Sequence, residues 1–451
     1  MSFIKSVFND VEKILFGAIA SAINEGLNTK APSKTVVPGD VELIDILLLS
    51  EDQTRTYSLM KQVVSLEVFE SITSPVMFAE LHIADSIGLL QSFPINGEEY
   101  VKISFKTPKN KGKPAEYLFR VNQVKNKTVN DSNKRLSYSL QLCSSELIRN
   151  SNILISKKET ENIGTIIRSI MEDDIDTQKP INIDTTIGIE EILLTRLQPF
   201  KAIDLLRQRA VSGEFKSSSF CFFENRKGFN FTTIERMMDV GGKQIESGNH
   251  DKVFFFDTAR KDSIDNVTMR NIIAYNQLTF TDTISKVASG GLNNQIQQFD
   301  LITGDLKKVT YTDNIGADQF KKTSSTSVGQ NTTNFTKNHG RTTSVTKVVP
   351  IRTDKPPVQV TEKLSILQAY AQKITQNIVL IHIYGDSDIN VGDMIECRFP
   401  TGIDSDKDKG VSRLDSGSYL VSKIRHIILN GDRAQYTMAL ELIKGDLQEV
   451  V

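Results

Sequence analysis

Apolar and polar positions follow two periods along this chain. Between Val41 and Leu142 the period is mostly two. Val64, Leu66 and Val68 alternate with Ser65, Glu67 and Phe69, and Met77, Ala79, Leu81 and Ile83 repeat the pattern. A period of two sends successive side chains to opposite faces and predicts strands. Pro94-Ile95-Asn96-Gly97 predicts a turn into a strand at Tyr100–Phe105. A hairpin follows, from Tyr117 through Asn130-Asp131-Ser132-Asn133 to Tyr138, Leu140 and Leu142. Over residues 151–240 the periods mix. Ile163, Ile166, Ile167, Ile170 and Met171 form a helical stripe. Pro199 opens a second helix, with Ile203, Leu206 and Ala210 on its inner face. Phe220–Phe223 and Phe229–Phe231 read as paired strands around Asn225-Arg226-Lys227-Gly228.

Strands resume at Val253–Phe256 and Leu278–Phe280. Residues 313–348 are rich in Thr, Ser, Asn, Lys and Gly and read as a mobile loop, because they bury too little to offset ordering entropy. A helix is expected at Leu364–Ile374, then strands at Ile378–Tyr384, Met394–Phe399, Tyr419–Leu429 and Ala434–Leu442. Asn430-Gly431 predicts a tight type I′ hairpin between the last two. At the other end, Ile4, Val7, Phe8, Val11, Ile14, Leu15, Ile19 and Ile23 fall on one face of a helix over residues 3–27. Packing on its own domain, docking on a partner subunit and lying on a membrane surface are the three readings of that stripe.

The strand patterns at the two ends repeat each other. Gly97-Glu98 leads into a strand ending at Phe105, and Gly392-Asp393 into one ending at Phe399. Tyr117-Leu118 opens a strand that returns through Tyr138–Leu142, and Tyr419-Leu420 opens one that returns through Tyr436–Leu440. Chance likeness between two hairpins is the competing explanation. Duplication predicts two antiparallel barrel-like domains flanking a different one. Three such chains would set six similar units around an axis and could cap a sixfold tube.

Composition adds mainly exclusions. The 451 residues suffice for two to four domains, with 39% apolar residues and no Trp. Lys and Arg number 54 against 55 Asp and Glu, a net charge of −1 that gives no broad attraction to nucleic acid or anionic lipid. Cys143, Cys221 and Cys397 are scattered and read as buried thiols of a protein folded in a reducing cytoplasm. The apolar run Ile14–Ile23 is too short to span a bilayer and lacks a basic flank and a cleavage site, so no secretory signal is expected. No phosphate loop, GxGxxG, HExxH or GxSxG is present, and the five histidines (His82, His250, His339, His382, His426) are dispersed. Asp386-x-Asp388-x-Asn390 and Asp404-x-Asp406-x-Asp408-x-Gly410 alternate oxygen ligands. They lack the Gly and Glu of a calcium loop and read as solvated turns. No catalytic, cofactor-binding or metal-binding residue is assigned, and no cofactor is expected.

Three segments carry a family resemblance: NIVLIHIYGDSDINVGDMIECRFP with SGSYLVSKIRHIILNGDRAQYTMALELIKG, FPINGEEYVKISFKTP, and PFKAIDLLRQRA with FCFFENRKGFNFTTI. Each is degenerate; their order carries the weight, and together they touch about half the chain. The pattern resembles the baseplate central hub family of contractile-tailed (myovirus) bacteriophages. It is also similar to the base of type VI secretion spike proteins and to phage late-control tail proteins.

The resemblance implies a β-dominated α+β fold with two antiparallel barrel-like tail-tube domains and an intervening α+β domain, assembling as a trimeric ring. The expected division is a helix and linker at 1–37, a first tube-like domain at 38–150 and an intervening domain at 151–250. Strands at 251–312 link to or complete the second tube-like domain at 361–451, with a flexible loop at 313–360. The implied role is structural and not enzymatic: a homotrimer with pseudo-sixfold symmetry that joins the tail tube to a trimeric spike. A tube-initiator protein and the tape-measure protein are further expected contacts, and viral DNA passes through the lumen without sequence-specific binding. The implied location is the virion tail baseplate, assembled in the host cytoplasm. A tail adaptor or spike base of a related injection or type VI machine is the alternative. With no spike domain before Val451, a separate spike partner is expected.

Overall fold

A computed structural model describes residues 38–52, 54–93, 95–107, 114–130, 135–247, 252–256, 268–279, 293–300, 302–312, 346–351, 377–400, 412 and 415–444. The helices expected at 3–27 and Leu364–Ile374, and the turn from Asp404 to Gly410, lie outside the described residues.

The first strands are β1 (Glu42–Leu49), β2 (Thr56–Ser58), β3 (Val63–Ser71), β4 (Phe78–Asp85), β5 (Tyr100–Lys106), β6 (Ala115–Asn130) and β7 (Arg135–Cys143), with helix α1 (Leu89–Ser92) after β4. An α+β unit follows. It contains α2 (Ser145–Asn152), β8 (Ile155–Glu161), α3 (Ile163–Ser169) continuing into a π turn, β9 (Ile181–Ile183), β10 (Glu190–Leu197), α4 (Pro199–Arg207), β11 (Phe220–Asn225), β12 (Gly228–Thr233) and α5 (Ile234–Glu246). Then come β13 (Val253–Phe255), β14 (Ile272–Thr279), β15 (Asn293–Asp300), β16 (Leu306–Thr312), β17 (Thr346–Ile351), β18 (Asn377–Tyr384), β19 (Met394–Arg398), β20 (Gly417–Leu429) and β21 (Gln435–Lys444).

Thirteen strands form one sheet, ordered β14-β18-β21-β20-β3-β4-β7-β6-β5-β1-β2, with β19 on β20 and β13 on β19. The duplication is visible in it. β4-β7-β6-β5 and β18-β21-β20-β19 have the same antiparallel order. β3 and β14 flank β4 and β18 in the same way. Two irregularities correspond. A residue bulges out after Val121 and after Val421, and another after Val63 and after Ile272. Further bulges after Lys125 in β6 and after Gln277 in β14 have no counterpart in β20 and β3. The modules differ at their far strand: β1 runs antiparallel to β5, whereas β13 runs parallel to β19.

The repeat is real, but its register differs from the sequence reading. Phe105 and Phe399 correspond as expected. In the opening strand, however, the counterpart of Tyr419 is Phe119 and not Tyr117. In the returning strand Leu81 faces Leu140 and Ile381 faces Leu440, so the counterpart of Tyr138 is Met438 and not Tyr436. A slip of two residues keeps every side chain on its own face, so alternation alone cannot detect it. The bulges decide it. The one at Val64 also turns that side chain outward, while Val63, Leu66 and Val68 are buried.

The two expected barrel-like domains are not separate closed barrels. Among the described residues no barrel is closed, and one sheet passes from the second module into the first through β20 and β3. One apolar core spans both modules, from Ile46 and Phe105 to Tyr436 and Leu440. A second core, built on Ile166, Ile170, Leu206, Phe220 and Phe231, belongs to the α+β unit, where the expected inward stripes of α3 and α4 are buried. β13 and β14 complete the second module, but β16-β15-β17 form a separate sheet. The stretch 313–348, read as a loop, ends inside a strand: β17 begins at Thr346 and pairs parallel to β15. The Asn430-Gly431 hairpin is also not a two-residue turn. Leu429 pairs with Gln435, leaving a five-residue connection from Asn430 to Ala434. Asn430 instead donates its side-chain amide to the carbonyls of Met60 and Val63.

Candidate assembly interface

The joint between the modules is the place where this chain shows how its parts associate. β20 is 13 residues long and changes neighbours midway. Its first half pairs with β19 (Met394↔Leu420), and its distal half pairs with β3 (Lys423↔Ser71 through Leu429↔Ser65). The switch occurs at the bulged Ser422. Its hydroxyl bonds the Glu441 carboxylate at 2.7 Å, and its carbonyl accepts the Ile72 N–H at 3.0 Å. A bulge adds local twist, which lets one strand edge serve two partners in turn.

Apolar pairs close the joint. Leu66 and Ile428 face each other, each 1% exposed, with Val68 and Ile424 beside them. Polar groups fix its register. The Arg425 guanidinium reaches the Glu67 carboxylate at 2.8 Å and lies over the Phe69 ring at 5.7 Å; burial pulls its pKa down to about 10. His426 Nδ1 lies 2.6 Å from the Tyr436 hydroxyl, and its Nε2 lies 3.5 Å from Glu70. A one-residue slip would turn Arg425 and Glu67 to opposite faces and expose Leu66, so the joint admits one alignment.

A second contact docks the α+β unit on the first module. The fully buried Glu224, at the end of β11, accepts from the Met77 N–H at 3.0 Å, the Ser144 hydroxyl at 2.5 Å and Lys179 at 2.6 Å. Lys179 also reaches Glu146 at 2.8 Å. Burial pushes the Glu224 carboxyl up against the pull of Lys179. Burial works against the charge of Lys179 as well, but the two carboxylates outweigh it and raise its pKa. Nothing in the sequence marks these residues. They come from four stretches of the chain, and only the packing of β11 against the first module brings them together.

The sequence-level candidates fall elsewhere. In the Asp386 turn, Asp386 accepts the Asp388 N–H at 3.0 Å and Asp393 accepts the Asn390 N–H at 3.1 Å, so these carboxylates brace their own backbone. Among the described residues no group of three or more His, Cys, Asp or Glu is placed to hold a metal ion. Cys143 and Cys397 are buried and Cys221 is half-buried; burial pushes the Cys143 and Cys221 thiols up to about 11. No described helix is long and apolar enough to cross a membrane.

No protein-family model and no curated protein matches the chain. Its fold does match solved structures. The 43 kDa tail protein of prophage MuSo2 from Shewanella oneidensis aligns over 90% of this chain and 99% of its own, with a TM-score of 0.53 at 10% identity. A tail protein from Neisseria meningitidis MC58 aligns over 89% and 96%, with a TM-score of 0.54 at 9% identity. The chain therefore has the fold of these tail proteins, along nearly their whole length.

Proposed function

We propose that the chain is a structural subunit of a phage tail baseplate: the central hub, a trimeric ring that joins the tail tube to the spike. The observation that carries this is the duplicated module. Two copies of one strand order stand side by side in a single sheet, joined edge to edge. Three such chains present six near-equivalent modules around a threefold axis, which matches a sixfold tube on one face and a threefold spike on the other. The shared fold with phage tail proteins supports the same role. In this reading DNA crosses the lumen, the tape-measure protein is a neighbour during assembly, and the chain itself performs no reaction.

Light scattering of the purified chain, alone and mixed with the spike protein of its own tail, tests the reading. Three copies per particle are expected in at least one condition. A stable monomer in both rejects it.

A further inference from the structure

The joint inside the chain uses β3 of the first module and the distal half of β20 of the second. Each module carries both kinds of edge. The counterpart of β3 is β14, and the counterpart of distal β20 is distal β6. Among the described residues β14 pairs only with β18, and β6 beyond Arg120 pairs only with β7. The two ends of the chain thus present the two halves of a joint already seen in its middle.

Burial marks the same two edges. In the joint, Leu66 and Ile428 are each 1% exposed. Matched through the strand pairings, their counterparts are Tyr275 and Val129, which are 41% and 66% exposed. Along the distal half, β20 is buried at nearly every position from Ile424 to Ile428, whereas Asn126 to Val129 of β6 are all exposed. A strand edge with exposed apolar side chains and open backbone groups pairs readily with another chain. Charge does not oppose this: Lys125 corresponds to Arg425, and the neutral Asn276 to Glu67, so no like charges meet. β6 carries one residue more than β20 near Asn126, which takes a positive φ of 55°. The match resumes beyond it, at Thr128–Asn130.

We propose that β14 of one copy pairs antiparallel with the distal half of β6 in a second copy, setting Tyr275 opposite Val129, Asn276 opposite Thr128 and Ala274 opposite Asn130. The contact is head to tail and repeats the internal joint between molecules. It rests on the ring reading above, in which three such contacts close the circle, and it adds the edges and the register.

Cysteine cross-linking of the full chain tests it. Val129→Cys with Tyr275→Cys, under mild oxidation, should give covalent dimers and trimers on a non-reducing gel. Leu118→Cys with Tyr275→Cys should give none, because Leu118 lies on the half of β6 already paired with β5. Separately, Val129→Asp should raise the association midpoint at least tenfold without moving the thermal midpoint. Trimers by light scattering with no Val129–Tyr275 cross-link, equal cross-linking of the Leu118 control, or unchanged association of Val129→Asp would each overturn this register and leave the ring reading standing. A chain monomeric throughout overturns both.

Discussion

His82 and His382 occupy the same position in the two modules, yet they face different partners. His82 Nδ1 lies 2.8 Å from the Ser139 hydroxyl across the strand pair. His382 faces Ala439, which offers no hydroxyl. Burial alone holds the His382 pKa down to about 4. The unfolded chain therefore binds a proton near pH 6.5 that the folded chain refuses until about pH 4. Stability is full above pH 6.5 and falls as the pH drops across that interval, by up to roughly 3 kcal/mol. Urea midpoints measured between pH 7 and 4.5 should show this slope, and His382→Leu should flatten that part of it.

Among the described residues, Lys179 alone bridges Glu146 and Glu224, at 2.8 and 2.6 Å. Lys179→Met should destabilise the chain by about 3 kcal/mol, because it leaves a buried carboxylate uncompensated. Lys179→Met combined with Glu224→Gln should recover part of the loss. Chemical denaturation of the two variants checks both expectations. Equal losses would mean that Glu224 is not the group left exposed to the penalty.

Gly228 turns the β11–β12 hairpin at a φ of 126°, and a Cβ there would run into the Pro180 carbonyl oxygen, which accepts the Phe229 N–H. Gly228→Ala should cost about 3 kcal/mol through backbone strain and loss of that contact. The thermal midpoint of the variant reads the effect. An unshifted midpoint would show that the turn relaxes freely.

At the joint, Arg425→Met and Glu67→Gln should couple. A double-mutant cycle on unfolding free energy is expected to give about 1–3 kcal/mol of interaction. Additive effects would remove this pair from the forces that set the register.

Strands and helices whose stripes are one-sided were legible in the sequence: β4, β21, α3 and α4 lie where their periods place them. Duplication was legible too, as matching residue classes in matching order. Its register was not, since a two-residue slip preserves alternation and only the bulges at Asn122 and Ser422 settle it. α5 was missed although its cap is present: the Thr233 side chain accepts the Arg236 N–H at 3.3 Å. The Asn430-Gly431 turn misled because Asn430 is spent on β3, a partner remote in sequence. The joint itself was invisible for the same reason. It depends on which strands become neighbours, and side-chain periodicity carries no information about that.

Having both halves of the β3–β20 joint on one chain has a kinetic consequence. Strands tethered on one chain meet at an effective concentration that does not depend on the concentration of the protein. That seam closes as each chain folds and stays closed. A seam made between chains forms only when another copy arrives, and it can be reversed by dilution. On the proposed pairing of β14 with β6, the molecule carries one permanent seam and one conditional seam of the same design. Because the two are encoded by separate residues, the second can weaken, strengthen or acquire a trigger without any change to the first.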